Sequence, residues 1–297
     1  MMKYTLKNIL IGIFSSDQLM MIPRKLRDKE IFLSEVDNIE EYISACEVDT
    51  NNFKTAGEHR LQDWEKGWGG DGVYYSDDEY NNLPYYFVKN RYLRLKAKVY
   101  LTPEPFVEVD CLRALQSVVF SESLPFFTTR TVIEYGCGTG CNIQYLREIF
   151  PYIEFFGTDW AKSAVQKLIE NNILDNKHAY LVDYFIEETF KDPNKKFIAL
   201  TNASLEQTGN RYNKFIDYLV GNSNCSGGIH IEPIGELLDL SNPLNKQSYE
   251  YAKKRGYLED FLKYFKTKDV SIVKAIDYGI GSQYISGYQV LVWKNKC

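Results

Sequence analysis

The sequence has little of the material from which metal centres and disulfide frameworks are built. Only three histidines occur among 297 residues, and the six cysteines are scattered with no C-x-x-C pair. A structural zinc site needs paired cysteine or histidine ligands at characteristic spacings, so no metal is predicted. Reduced thiols in a cytoplasmic protein are the expectation.

Long apolar runs and excess positive charge are also missing. Lys3 and Lys7 precede an apolar run over residues 9–14, which is too brief for a membrane helix and has no cleavage site after it. The formal net charge is -5 at pH 7, whereas phosphate contacts require a basic surface. We therefore expect a soluble protein with no membrane span and no nucleic-acid partner. A homo-oligomer is compatible with the sequence.

Residues 1–110 have an irregular pattern that predicts a mainly helical or irregular cap. Within this region, Trp64 and Trp68 stand beside four glycines that fall within residues 67–72. Such a density of glycine indicates a flexible or tightly turned loop. Because two large aromatic side chains need apolar cover, we expect this segment to act as a lid on the following domain.

A regular alternation of strand and helix patterns begins near residue 125. It predicts an α/β domain over residues 111–297, with a parallel sheet covered on both faces. The last two strand patterns have no room for a helix between them, which predicts an antiparallel hairpin at one edge. The strand patterns lie at residues 131–135, 153–158, 179–182, 197–201, 228–232, 270–276 and 288–293.

The most specific motif is the string E-Y-G-C-G-T-G at residues 134–140, between a strand pattern and a helix pattern. Glycine lets the backbone turn sharply there and lets a ligand approach closely. Asp159 ends the next strand, where a carboxylate can hold the ribose hydroxyls of a nucleotide. The glycines run G-x-G-x-G, and not the G-x-G-x-x-G of dinucleotide enzymes.

This string resembles motif I of the seven-stranded, Rossmann-like methyltransferases that use S-adenosylmethionine. Residues 157–160, G-T-D-W, are similar to their second motif, and Asp183 is similar to the acid that binds the adenine amino group. The resemblance implies S-adenosylmethionine as cofactor and a mostly parallel seven-stranded sheet that ends in an antiparallel hairpin. The cofactor-binding residues that it implies are Glu134, Gly136, Gly138, Gly140, Asp159, Trp160, Asp183 and Tyr184.

Candidate catalytic residues follow the fourth and fifth strands of the predicted sheet, because open α/β sheets bind ligands at the carboxyl ends of their strands. Glu206 follows the fourth strand, and His230 and Glu232 end the fifth. A hydroxyl acceptor benefits from a general base, so these three residues are the predicted catalytic set. For His230, a packed and hydrogen-bonded structural residue is the alternative.

The segment at residues 251–258 adds phenols and cations, with an exposed helix face as the alternative interpretation. Together with the tryptophan–glycine segment, S-L-E-Q and H-I-E-P-I, it resembles bacterial methyltransferases of surface-polysaccharide and modified-sugar biosynthesis. The resemblance implies a small, saccharide-like acceptor methylated on a hydroxyl of a sugar, a sugar nucleotide or a phosphorylated glycan intermediate. The predicted substrate-binding residues are Trp68, Gln207, Tyr251, Arg255 and Tyr257.

Two other functions stay open. An N-methyltransferase acting on an amino sugar or another small amine would need a carboxylate or tyrosine cage more than a base, and Glu206 or Glu232 could supply the carboxylate. The second alternative is an inactive, methyltransferase-like binding protein. The intact glycine string and Asp159 argue against that alternative.

Overall fold

The computed structural model describes residues 1–76, 78–285 and 287–296. The helices are α1 Leu6–Leu10, α2 Ser16–Met21, α3 Arg24–Arg27, α4 Ile39–Asp49, α5 Leu61–Gly69, α6 Tyr86–Lys89, α7 Val107–Ser123, α8 Cys141–Ile149, α9 Lys162–Glu170, α10 Asn213–Gly221, α11 Pro243–Arg255 and α12 Phe261–Lys266. The strands are β1 Met2–Thr5, β2 Glu30–Glu35, β3 Val73–Tyr74, β4 Leu83–Pro84, β5 Tyr92–Leu95, β6 Lys98–Leu101, β7 Thr131–Tyr135, β8 Glu154–Asp159, β9 Ala179–Leu181, β10 Phe197–Asn202, β11 Cys225–Glu232, β12 Val270–Asp277, β13 Ile280–Gly281 and β14 Gln289–Asn295.

The larger sheet has seven strands in the order β12-β14-β11-β10-β7-β8-β9. The pairings from β9 across to β11 are parallel, whereas β14 runs antiparallel to both β11 and β12. Every residue of the interior strand β7 is buried, as a strand with helices on both faces requires. The predicted sheet, mostly parallel and ending in antiparallel strands, is confirmed.

Two hydrophobic cores lie on opposite faces of this sheet. Successive residues of β7 alternate between them, because side chains of a strand point to opposite faces in turn. Val132 belongs to one core, and Ile133 and Tyr135 belong to the other. This double coverage leaves the ends of the strands as the accessible part of the sheet.

The N-terminal cap contains strands that its irregular sequence pattern did not reveal. They form most of a five-stranded sheet in the order β1-β2-β6-β5-β13. In β2, Ile31 and Leu33 are buried while Phe32 is exposed, which is the alternation of a sheet with one covered face. The strand β13 comes from the C-terminal part of the chain and pairs with β5, with Ile280 opposite Leu95.

Helix α7 joins the cap to the seven-stranded sheet and is buried along nearly its whole length. The domain boundary expected near residue 110 falls inside this helix. One hydrophobic core contains Leu6 and Leu26 of the cap together with Val118 of α7 and Val132 of the sheet. None of the helices in the described parts of the chain combines the length and the apolar composition needed to cross a membrane.

Candidate active site

The glycine string forms the turn between β7 and α8. Gly136, Gly138 and Gly140 have φ angles of +71°, +54° and +81°, in the left-handed region that favours glycine. At Gly136 an added Cβ would also lie only 2.5 Å from the Cβ of Ser204. The turn therefore needs glycine for both its conformation and its close packing.

Two adjoining cavities open at this turn. We call them the Thr139 cavity, with about 740 Å³ of empty space including its mouth, and the Asp159 cavity, with about 400 Å³. The residues that line both cavities are Trp64, Trp68, Gly136 and Ala203.

Asp159 ends β8 and directs its carboxylate toward the glycine turn. Its Oδ2 accepts a hydrogen bond from the backbone N–H of Gly138 at 2.9 Å, and its Oδ1 accepts one from Ala161 at 2.8 Å. Burial raises the pKa of this carboxyl to about 6, although the two amides favour its charged form. Each oxygen keeps a free lone pair, so the group is able to accept hydroxyl hydrogen bonds from a ligand.

Glu134 is fully buried in β7, beneath the glycine turn. Its Oε1 accepts a hydrogen bond from Nδ2 of Asn142, which lines the Thr139 cavity, at 2.7 Å. Its Oε2 has no partner among the described residues. Burial raises the pKa of Glu134 to about 8. A cationic ligand group nearby would stabilise the charged carboxylate.

The other residues expected at the cofactor lie partly in the wall of the Asp159 cavity. Trp160 and Phe185 line it, with ring centroids 5.6 Å apart, and Tyr184 lines it with its hydroxyl 3.2 Å from Oγ of Ser204. Asp183 lies outside this wall. Its Oδ1 accepts a hydrogen bond from the backbone N–H of Phe185 at 2.8 Å, so it shapes the turn that carries the two aromatic residues.

A helix stands where the sequence predicted a flexible loop. Helix α5 places Trp64 and Trp68 on one face, four residues apart, with their rings stacked at 5.4 Å. Trp68 is buried, and its ring comes within 3.1 Å of the position that a Cβ on Gly138 would occupy. The glycines at residues 70 and 72 follow the helix and form the turn into β3. The tryptophan pair thus borders the glycine turn directly.

His230 has no nitrogen free for catalysis. Its Nε2 accepts a hydrogen bond from Nε1 of Trp293 at 2.9 Å, so Nδ1 carries the proton and donates to Oγ1 of Thr201 at 2.9 Å. Burial lowers its pKa to about 3, and the side chain lies outside both cavities. In place of the predicted catalytic role, we infer that His230 is a neutral structural residue.

Glu232 is also fully buried and engaged with the backbone. Its Oε1 accepts hydrogen bonds from the N–H groups of Ser204 and Leu205 at 3.1 and 3.0 Å, and its Oε2 accepts one from Glu206 at 3.4 Å. The carboxylate therefore holds the turn that follows β10. In place of the predicted catalytic role, we infer that Glu232 supports this turn.

The predicted acceptor residues form one cluster beside the Asp159 cavity. Nε2 of Gln207 donates to Oε1 of Glu206 at 3.0 Å, and Nη1 of Arg255 donates to Oη of Tyr251 at 3.0 Å. The guanidinium carbon of Arg255 lies 5.0 Å from the ring centre of Tyr257. Burial raises the pKa of Glu206 to about 8. The buried polar atoms of this cluster that lack a partner among the described residues are Glu206 Oε2, Gln207 Oε1 and Arg255 Nε.

Several residues of the Thr139 cavity carried no signal that sequence reasoning used. Asn142 follows the glycine string by two positions, so its place was predictable from the motif. The others come from the cap or from the edge of the sheet, where only tertiary packing brings them to the cavity. These residues are Tyr86, Arg113, Gln116 and Tyr288. Within the described part of the chain, no group of three or more histidine, cysteine, aspartate or glutamate residues is placed to hold a metal ion.

No protein-family model and no curated protein matches the chain. Solved structures do resemble it. The plantazolicin methyltransferase BpumL, in complex with a pentazolic desmethylPZN analog and SAH, has 16% identity and a TM-score of 0.44, with 65% of this chain and 87% of that chain covered. The mitomycin 7-O-methyltransferase MmcR has 14% identity and a TM-score of 0.42, with 66% and 59% covered.

Human N-acetylserotonin methyltransferase, in complex with SAM, has 15% identity and a TM-score of 0.40, with 64% of this chain and 57% of that chain covered. At these identities and scores the likenesses carry no argument about activity. The strand order is an observation on this chain itself, with β7 between β10 and β8 and with β14 reversed between β11 and β12. That order is the Rossmann-like methyltransferase fold.

Proposed function

We propose that the protein transfers a methyl group from S-adenosylmethionine to a hydroxyl of a small saccharide-like acceptor. The observation that carries this proposal is the pair of cavities that meet at Gly136. One contains the Asp159 carboxylate, and the other contains the glycine turn with Glu134 beneath it. Carboxyl groups at the ends of adjacent strands, on either side of a glycine turn, suit a nucleoside joined to a cationic group.

The chain's own residues fit the proposed cofactor part by part. Asp159 would accept hydrogen bonds from the ribose hydroxyls, and Trp160 and Tyr184 would pack against the adenine. The unpaired oxygen of Glu134 suits the ammonium group at the other end. When bound, the cofactor supplies a methyl group on a positively charged sulfur, and the protein's main task is to align the acceptor with it.

We assign the role of general base to Glu206, because its Oε2 is unpaired among the described residues. Both ring nitrogens of His230 and both carboxylate oxygens of Glu232 already have hydrogen-bond partners. Tyr288 lines the Thr139 cavity, and the pKa of its hydroxyl is raised by burial and, in addition, by the charge of Glu206. Glu206 is therefore close to the cavity from which a hydroxyl proton would be removed.

The cluster around Glu206 supports a polyhydroxylated acceptor. Tyr251 and Tyr257 offer aromatic faces, while the unpaired atoms of Gln207 and Arg255 offer an acceptor and a donor. The same cluster also supports the alternative, N-methylation of an amino sugar or another small amine, because a buried carboxyl among tyrosines favours a cation.

The test is donor turnover with sugars, sugar nucleotides and phosphorylated sugars, each paired with its amino-sugar counterpart, and NMR location of the new methyl group. Methylated oxygen supports the proposal, and methylated nitrogen supports the alternative. Binding of S-adenosylhomocysteine without turnover on any acceptor would indicate a binding protein. Absence of cofactor binding would refute the proposal.

A further inference from the structure

Helix α7 contributes a polar patch to the Thr139 cavity that belongs neither to the glycine string nor to the acceptor cluster. Arg113 and Gln116 stand three residues apart on α7, so they share one face of the helix, and both line the cavity. Among the described residues of the cavity wall, Arg113 is the one charged side chain. This patch combines a cation with an amide.

A chain of hydrogen bonds determines which atom Gln116 offers to the cavity. Asn142 donates through Nδ2 to Oε1 of Glu134 at 2.7 Å, so its Oδ1 faces the other way and accepts from Nε2 of Gln116 at 2.8 Å. The oxygen of Gln116 has no donor among the described residues. Since Oε2 of Glu134 is unpaired as well, the chain ends in two free oxygens. An ammonium group, which has three donors and no acceptor, suits them.

Arg113 lies between the Thr139 cavity and a groove beside α8, and it lines both. Its guanidinium carbon lies 5.2 Å from the ring centre of Tyr80 and 5.1 Å from that of Tyr145. Its Nη2 donates to the backbone oxygen of Glu79 at 2.7 Å, and the described residues supply no hydrogen-bond partner for Nε and Nη1. A planar guanidinium with donors to spare binds carboxylates through parallel hydrogen bonds.

We propose that α7 binds the α-amino-acid end of the cofactor, with Arg113 on the carboxylate and the oxygen of Gln116 on the ammonium group. This inference rests on the proposed function and extends it beyond the glycine string. It makes α7 the part of the protein that distinguishes a cofactor with a zwitterionic end from adenosine compounds that lack one.

The test compares two ligands by calorimetric titration, S-adenosylhomocysteine and 5′-methylthioadenosine. Both contain adenosine and a thioether, but only the first has the amino-acid end. Gln116→Leu and Arg113→Gln should each weaken S-adenosylhomocysteine binding by about 10-fold or more, because each removes a hydrogen bond to a charged group. Binding of 5′-methylthioadenosine should change by less than about twofold. The control is Gln144→Leu on α8, a residue that lines neither the Thr139 cavity nor the Asp159 cavity, and it should alter neither affinity.

Equal weakening of both ligands, or no weakening of either, in folded Gln116→Leu would overturn the inference. Arg113→Lys, which keeps the charge but not the planar fork, should weaken S-adenosylhomocysteine alone and serves if Arg113→Gln does not fold. The failure of the proposed function has a different signature. In that case the wild-type protein binds neither ligand. If the wild type binds both ligands and the variants leave the ratio of the two affinities unchanged, only the role of α7 is overturned.

Discussion

The two walls of the candidate active site are built in different ways. The wall from the seven-stranded sheet consists of strand ends and a tight turn, and its charged group is the Asp159 carboxylate, which two backbone amides hold in place. The opposite wall comes from the cap and α7, and its side chains include two tryptophans of α5 and the arginine and glutamine of α7. We expect the sheet wall to bind the nucleoside, which many cofactors share. We expect the opposite wall to select among such cofactors and to enclose the bound one. The predictions below test this division of roles.

The largest effect is expected at Glu206, on the acceptor side. Glu206→Gln removes the proposed base and should lower kcat by roughly 100-fold or more, while S-adenosylhomocysteine binding stays within about twofold. Because the pKa of Glu206 is about 8 and a base must be ionised, wild-type turnover should rise with pH up to about that value. The variant should lose this rise. A pH profile of kcat measures both.

Glu232→Gln is the matched control for that experiment. It makes the same change at the end of the neighbouring strand, β11. There the carboxylate accepts hydrogen bonds from backbone N–H groups in the turn after β10. We expect the free energy of unfolding to fall by about 1–3 kcal/mol. The rise of turnover with pH should persist but shift to lower pH, because the charge of Glu232 helps to raise the pKa of Glu206. A flattened profile in Glu232→Gln and not in Glu206→Gln would exchange the two roles.

Burial of Glu206 also makes stability depend on pH. Its pKa is raised from 4.5 to about 8, so the folded state holds the proton more tightly than the unfolded state. Stability from this group is therefore fully present at acidic pH and is lost as pH rises through about 8. Chemical denaturation at pH 6 and at pH 9 measures this. Between these two pH values the free energy of unfolding should fall less in Glu206→Gln than in the wild type.

The next effect concerns Asp159, on the sheet wall. Asp159→Ala should weaken cofactor binding by roughly 2–3 kcal/mol, because charge-assisted hydrogen bonds to the ribose are lost. The control is Asp183→Ala, a carboxylate at the end of the neighbouring strand that lies outside the cavity wall. Calorimetric titration with S-adenosylhomocysteine should show less than about a threefold change for the control. Equal losses would restore the adenine-binding role that the resemblance implied for Asp183.

A smaller effect is expected at His230. Its pKa is lowered from 6.5 to about 3 by burial, so the unfolded state takes up a proton that the folded state refuses. This contribution destabilises the fold as pH falls from about 6.5 toward 3. His230→Gln keeps one donor and one acceptor for Thr201 and Trp293 but cannot titrate. Acid denaturation should therefore begin at a lower pH in the variant, with turnover near neutral pH unchanged, and a loss of turnover would restore the predicted base.

The sequence predicted the sheet wall better than the opposite wall, and the reason is physical. The glycine string, β7 and Asp159 are local, because spacing along the chain sets where they lie once the strand–turn–helix unit forms. His230 was placed correctly at the end of a strand, yet its role depends on Trp293, which arrives from a strand that follows 63 residues later. The cap strands were missed because β5 pairs with β13, whose residues come from the far end of the chain.

Helix α5 shows the same limit in a single segment. The number of glycines predicted a loop, since glycine lowers helix propensity. Tertiary contacts stabilise a helix in this segment instead. Glu65 accepts hydrogen bonds from the N–H groups of Lys162 and Ser163, at 2.6 and 2.9 Å, where α9 begins. The helix thus satisfies two amides that would otherwise lack partners, and it holds its tryptophans against the glycine turn.

The smallest effect, on thermal stability, is expected for Trp68→Ala, and it tests whether α5 is a lid. Trp68 packs in a small cluster with Val73, Ala161 and Ala164 that is separate from the two main cores. Loss of its contacts should therefore open α5 locally and not unfold the whole chain, so we expect Tm to fall by only about 2–4 °C. Cofactor affinity and turnover should fall further than this shift implies, because closure excludes water from the transfer site.

In the wild type, hydrogen exchange over residues 64–76 should slow when S-adenosylhomocysteine binds. Exchange that is equal with and without ligand, together with a large loss of Tm in Trp68→Ala, would show that α5 is a fixed part of the fold.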